Sequence, residues 1–243
     1  MPFSLALANI GYTAFIPNTI SGLQLWLKAD TGVTLVSGAV SAWADQSGVG
    51  DGNRNATQST AARRPTYNAA DAAYNSRPTT SYALASLSSI STGTWSPALS
   101  QPCTIIMAAH NSASDVGDAS LLDGESSRVL IAAKVTSRFA EYFAGTSVIT
   151  STTAVSSPSI IAAIANGASS HLYVNNSQTP VANGNPGASG LDLVHLGCYS
   201  GSAGAGNFDG TIAEVLAYNT ALSSDNLKSV FAYLGAKYGI SVS

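Results

Sequence analysis

At 243 residues the chain is long enough for one sizeable all-β domain. Hydrophobic residues make up 45% and charged residues only 9%, which excludes the low-hydrophobicity, high-charge composition of disordered chains. Ten basic and thirteen acidic side chains leave a net charge of −3, so no nucleic-acid footprint and no attraction to an anionic membrane is expected.

Residues 1–20 are apolar and carry no charge, with no clean helical or strand period. The first basic residue is Lys28, so no charged n-region of a signal peptide precedes the apolar start. This segment reads as an N-terminal arm, with the domain running over 21–243. Leu23, Leu25 and Leu27 alternate along a period-2 strand, and a second short strand carries Val40 and Trp43. From Asp45 to about Arg77 the chain is polar and rich in Gly, Asn, Ser and Ala, which predicts a long loop.

Beyond residue 80 the pattern is strand, turn, strand. Candidates are 80–85, 103–110, 128–134, 139–143, 159–166, 170–175, 191–198 and 210–218. One helix follows. Ser223 is its N-cap, Leu222 and Leu227 form a hydrophobic staple, and Gly239 sits at the C-cap. Between these ends Leu227, Val230, Phe231, Leu234 and Tyr238 recur at helical spacing. The predicted core takes Trp26, Leu27, Trp43, Ile105, Ile131, Leu172, Val174, Leu196, Ile212, Val215 and Leu216. No apolar run is long enough to span a bilayer. Cys103 and Cys198 lie 95 residues apart in apolar surroundings; buried thiols are the favoured reading over a long-range disulfide.

The motifs, taken in order, resemble a known family. Gly22–Asp30 (GLQLWLKAD), Trp43–Gly48 (WADQSG), Asn55–Gln58 (NATQ) and Arg64–Tyr67 (RPTY) are similar to the opening of concanavalin A-like, laminin-G-like jelly-roll modules. Leu172–Asn175 (LYVN), Phe208–Val215 (FDGTIAEV) and Tyr233–Gly239 (YLGAKYG) are similar to the closing half. The resemblance covers about residues 21–240. It implies an all-β, two-sheet antiparallel jelly-roll sandwich with one C-terminal helix, and it implies little about chemistry.

For chemistry the residues themselves must be read. Retaining glycosidases need two carboxyl groups about 5 Å apart. The nearest candidate, Asp123-Gly124-Glu125, reads as a solvated turn, and no enzyme activity is expected. His110, His171 and His195 are isolated on strands, which predicts satisfied structural histidines and no zinc. Asp45, Asp51 and Asn53 offer oxygen ligands for calcium, against a plainer reading as turn residues. Trp95, Tyr199 and Arg128 are the candidates for glycan contact, because sugar rings stack on aromatic faces. Trp95 has a second reading as the cap of the core's end. No other cofactor is implied.

The expected function is that of a non-enzymatic virion structural protein with a lectin-like jelly roll, at the virion surface. Its partners would be other virion proteins or its own copies, engaged through Phe3, Leu5, Leu7, Ile10, Tyr12 and Phe15 of the arm, with surface glycans as a further ligand. An edge strand added to its own sandwich would hide the arm's apolar residues equally well. The alternative function is a carbohydrate-binding lectin module of a bacterial surface protein; a glycoside hydrolase ranks third.

Overall fold

The computed structural model describes residues 15–112, 119–124, 129–133, 137–199 and 206–243. The first half forms β1 (Leu23–Lys28), β2 (Val33–Val36), β3 (Ala39–Trp43), β4 (Ala56–Thr57), β5 (Thr66–Asp71), β6 (Arg77–Tyr82), β7 (Ile90–Ser91) and β8 (Cys103–Asn111). The second half adds β9 (Ala119–Asp123), β10 (Val129–Ala133), β11 (Phe139–Ala144), β12 (Val148–Ala154), β13 (Ser159–Ala165) and β14 (Ser170–Val174). Then come β15 (Ala182–Gly184), β16 (His195–Leu196), β17 (Gly210–Tyr218) and one helix, α1 (Ser224–Tyr238).

Strand β17 is the hub, and every pairing around it is antiparallel. One of its edges takes β1 and β6 in turn, and the other takes β8. From β8 the ladder continues through β13, β14 and β15. From β6 it runs through β5, β3, β4 and β7 to β16, and on through β9, β10, β11 and β12. The chain is therefore all-β with a C-terminal helix, as the sequence predicts.

Two hydrophobic clusters share the central strands. The larger takes Cys103, Ile105, Met107 and Ala109 of β8 and Ile161, Ala163 and Ala165 of β13. The smaller takes Ile106 and Ala108 of β8 and Ile160, Ala162 and Ile164 of β13, and lies against α1. A strand with apolar neighbours on both faces needs apolar residues at every position. That is why these two segments read as unbroken apolar runs and not as alternation. All eleven predicted core residues are buried, with Trp26 and Leu216 in the smaller cluster. Cys103 and Cys198 are both buried as thiols, and burial pushes the Cys103 thiol up to about 12.

The helix follows its sequence signals closely. Ser223 Oγ accepts from the Asn226 N–H, and Gly239 caps the end at φ 68°. Leu222 and Leu227 are both buried, as the staple requires. The helix is fastened to the sheet by a buried carboxylate. A bulge between Ile212 and Glu214 of β17 leaves Ala213 in the smaller cluster and turns Glu214 toward α1. Glu214 Oε1 accepts from Trp26 Nε1–H at 2.5 Å and from Tyr233 OH at 3.1 Å. Its Oε2 accepts from Tyr238 OH at 2.7 Å and pairs with Lys237 Nζ at 2.8 Å. Lys237 is shared with Asp30 at 3.0 Å.

Two expectations need correcting. The stretch 45–77 is not one loop, because it holds β4 and β5. Strand β5 is mostly exposed and polar, so it carries no apolar alternation to read. The strand predicted over 191–198 shrinks to His195–Leu196 and a single bridge from Leu191 to Leu99. Leu191, Leu193 and Val194 are apolar because they are buried, not because they pair in a ladder. Of the arm, the described residues nearest the domain pack on it. Phe15 meets the Tyr233 ring edge-on at 6.2 Å, Pro17 O accepts from Tyr218 OH, and Ile20 joins the smaller cluster. Phe3, Leu5, Leu7, Ile10 and Tyr12 lie outside the described residues. No helix among those described is long and apolar enough to cross a membrane.

Candidate binding groove beside Arg54

The loop after β3 (45–55) is built by its short polar side chains. Asp45 Oδ1 accepts from the backbone N–H groups of Trp26 (2.7 Å) and Ser47 (3.1 Å), and Asn55 Oδ1 accepts from Asp45 N–H. Gly48, Gly50 and Gly52 all take positive φ, which lets the chain fold back within a few residues. Asp51 Oδ1 accepts from the Asn53 N–H, and Gly93 N–H donates to Asn53 O at 2.8 Å. The loop is thereby tied to the segment that carries Trp95.

Arg54 stands at the centre and is only 5% exposed. It pairs with Asp51, and its Nη2 donates to Gln24 Oε1 at 3.3 Å. The guanidinium carbon lies 4.9 Å from the Trp95 ring centroid, within cation–π range. Burial lowers its pKa, and the charge of Asp45 works the other way. An arginine has five N–H donors in a fixed fork, and the Nε–H has no partner here. Arg54 lines two depressions. One, of about 310 Å³, is completed by Gln24, the 97–102 segment and Asn219. The other, of about 250 Å³, is completed by Asp45, Gly48, Gly50, Gly52 and Asn55. In the first, Gln101 is fully engaged, donating to Gly187 O and Ser189 O and accepting from Gly167 N–H. It builds the wall, while Ser100 and Asn219 are exposed at the mouth.

Several predicted site residues fall elsewhere. Trp95 is 2% exposed and offers no face to a sugar. Its neighbours in the segment are Ser, Thr, Gly and Pro, so it is the one bulky side chain there that fills the core, the second of its two readings. It reaches the groove indirectly, as the platform under Arg54. Tyr199 is half-buried beside Gly206, where a Cβ would lie 2.3 Å from its ring, and it does not line the groove. Arg128 lies outside the described residues. The oxygens named for calcium hold protein donors: Asp45 serves Trp26 and Ser47, and Asp51 serves Asn53 and Arg54. The loop's positive charge is the guanidinium. No cluster of three or more His, Cys, Asp or Glu gathers among the described residues.

Asp123 is not part of a solvated turn. It ends β9 at 0% exposure and faces His195 of β16 across the ladder. His195 in turn sits opposite Ser91 of β7, with Nδ1 2.6 Å from Ser91 Oγ. Glu125 lies outside the described residues. His195 is 6% exposed, so this polar row is closed to a ligand from solvent in a way the groove is not. His110 meets Thr211 Oγ1 at 3.0 Å and its pKa is lowered by burial, while His171 meets Asn183 Oδ1 at 2.5 Å. Sequence reasoning missed Arg54, Gln24 and Asn219. They are 30 and 165 residues apart, and no local spacing announces their meeting.

No protein-family model matches the chain, and no curated protein matches it. Solved structures do. Domain 4 of AbnA, a GH43 extracellular arabinanase from Geobacillus stearothermophilus solved with arabinotriose, aligns with a TM-score of 0.60 at 10% identity. The match covers 87% of this chain and 98% of that domain. A sialidase from Trypanosoma rangeli aligns with a TM-score of 0.56 at 13% identity, over 92% of this chain and 34% of the sialidase. The chain thus spans about a third of that enzyme's length. At such identities the likeness carries the fold alone.

Proposed function

We propose that the chain is a non-catalytic carbohydrate-binding domain that takes a glycan in the groove beside Arg54. One observation carries this reading: an open, polar depression of about 310 Å³ lined by Gln24, Ser100, Asn219 and the Arg54 side chain. That volume is at the lower end of the roughly 300–1,000 Å³ typical of small-ligand sites. Sugar hydroxyls both donate and accept, and the groove offers Arg54 donors beside the Gln24 and Asn219 amides and the Ser100 hydroxyl. The fold shared with an arabinanase domain solved with arabinotriose supports the same reading.

The finer architecture in this proposal is a concanavalin A-like jelly roll of two sheets. The larger hydrophobic cluster would be the filling between them, and the smaller one the seat of α1. The sequence alone ranks a virion role ahead of a glycan-binding module. We rank them the other way, because both structural neighbours described above come from carbohydrate-processing enzymes and nothing in the groove speaks for a capsid. No catalysis is proposed, since the carboxylates beside the groove, Asp45 and Asp51, are held by protein donors.

A glycan panel with product analysis tests this. The domain should retain one or more oligosaccharides and release them unchanged. Absence of binding across the panel at millimolar sugar, or cleavage of a bound glycan, would contradict the assignment.

A further inference from the structure

Resting on that carbohydrate-binding reading, we propose that the groove selects uncharged sugars and discriminates against acidic ones. An arginine in a cleft usually suggests a carboxylate or phosphate ligand, because its fork matches their paired oxygens. Here that fork is already engaged. Among the described residues, Arg54 is the only ionisable side chain in the lining of the larger of these two depressions. Its charge is met by Asp51 in a direct ion pair, and Asp45 acts on it as a second negative charge. One cation with two anions leaves the neighbourhood net negative. An acidic sugar would have to displace Asp51 from the guanidinium and then sit in the field of Asp45.

The remaining lining agrees. Asn219, Gln24 and Ser100 bring acceptors as well as donors, and the main chain at Pro97 and Pro102 has a carbonyl but no N–H. A carboxylate only accepts, so it leaves such acceptors unsatisfied. A hydroxyl satisfies both kinds of group. The ion pair with Asp51 and the stack on Trp95 also hold the guanidinium in place before any ligand arrives.

The test is calorimetry on the full chain with neutral probes (arabinotriose, lactose, a xylan and a cellulose trimer) and acidic ones (α2,3-sialyllactose, a galacturonate trimer). The strongest neutral probe should bind at least about tenfold tighter than every acidic probe. Its affinity should stay level as salt rises, since no net charge is being paired. Asp51→Asn should then narrow the neutral-to-acidic ratio by about tenfold by releasing the guanidinium for an anion. Arg54→Gln should lower neutral binding, and circular dichroism of that variant separates lost contact from lost fold. An acidic probe binding as tightly as the best neutral one overturns the selectivity while leaving the carbohydrate-binding reading intact. So does a ratio that Asp51→Asn leaves unchanged. Failure of every probe overturns that reading itself.

Discussion

Glu214→Ala destabilises the domain by about 3–5 kcal/mol, the range found when one partner of a buried ion pair is removed. The carboxylate is fully buried and gathers four donors from two elements: Trp26 of β1, and Tyr233, Lys237 and Tyr238 of α1. Removing it leaves the Trp26 indole N–H without its acceptor inside the smaller cluster and the Tyr238 hydroxyl with only Ala213 O, at 3.3 Å. It also leaves Lys237, whose side chain is 11% exposed, with the more open Asp30 as its anion and the Tyr233 hydroxyl at 3.2 Å. Unsatisfied buried donors each cost about 1–3 kcal/mol. Glu214→Gln keeps an acceptor and loses the charge, so it should fall between wild type and Ala. Equilibrium urea unfolding measures all three; a loss below about 1 kcal/mol for Ala would show that the carboxylate is not what holds α1 to the sheet.

Trp95→Ala is expected to cost a similar amount, about 3–5 kcal/mol, through the cavity left by a buried indole. It should also abolish glycan binding, because Arg54 loses the ring on which its guanidinium is stacked. The companion substitution separates the two effects. The Trp95 indole N–H is buried with no partner, so Trp95→Phe keeps a platform and removes an unsatisfied donor. Phe should therefore cost well under half of what Ala costs, and it should retain binding. Loss of binding in both variants with little change in stability would mean that Trp95 touches the ligand itself.

The difference between what the sequence announces and what it hides follows from the range of the interactions. The α1 helix is local: Ser223, Leu222, Leu227 and Gly239 act within a few residues of one another, and the structure uses each as its type suggests. The central strands are nearly as legible, because burial on both faces writes unbroken apolar runs over 105–109 of β8 and 160–165 of β13. Strand β5 is hidden because its outward residues are polar and its ends are set by pairing with β6. The groove is hidden for a different reason. Arg54 lies in a run of Asp, Gly and Asn whose composition signals only turns. Its meaning comes from Gln24, Trp95 and Asn219, which the β1–β17 pairing and the loops bring alongside. The same holds for His195 and Asp123, neighbours in the ladder yet 72 residues apart in sequence.

The most direct test of the binding account is where a glycan lands. Two-dimensional amide NMR of the labelled chain, titrated with the tightest oligosaccharide of the panel, reads this without assuming a contact. The account predicts that shifted resonances concentrate at Gln24, residues 52–55 and 98–101, and Asn219. Shifts concentrated instead on β11 around Phe139 and Phe143, with the groove resonances unmoved, would contradict it.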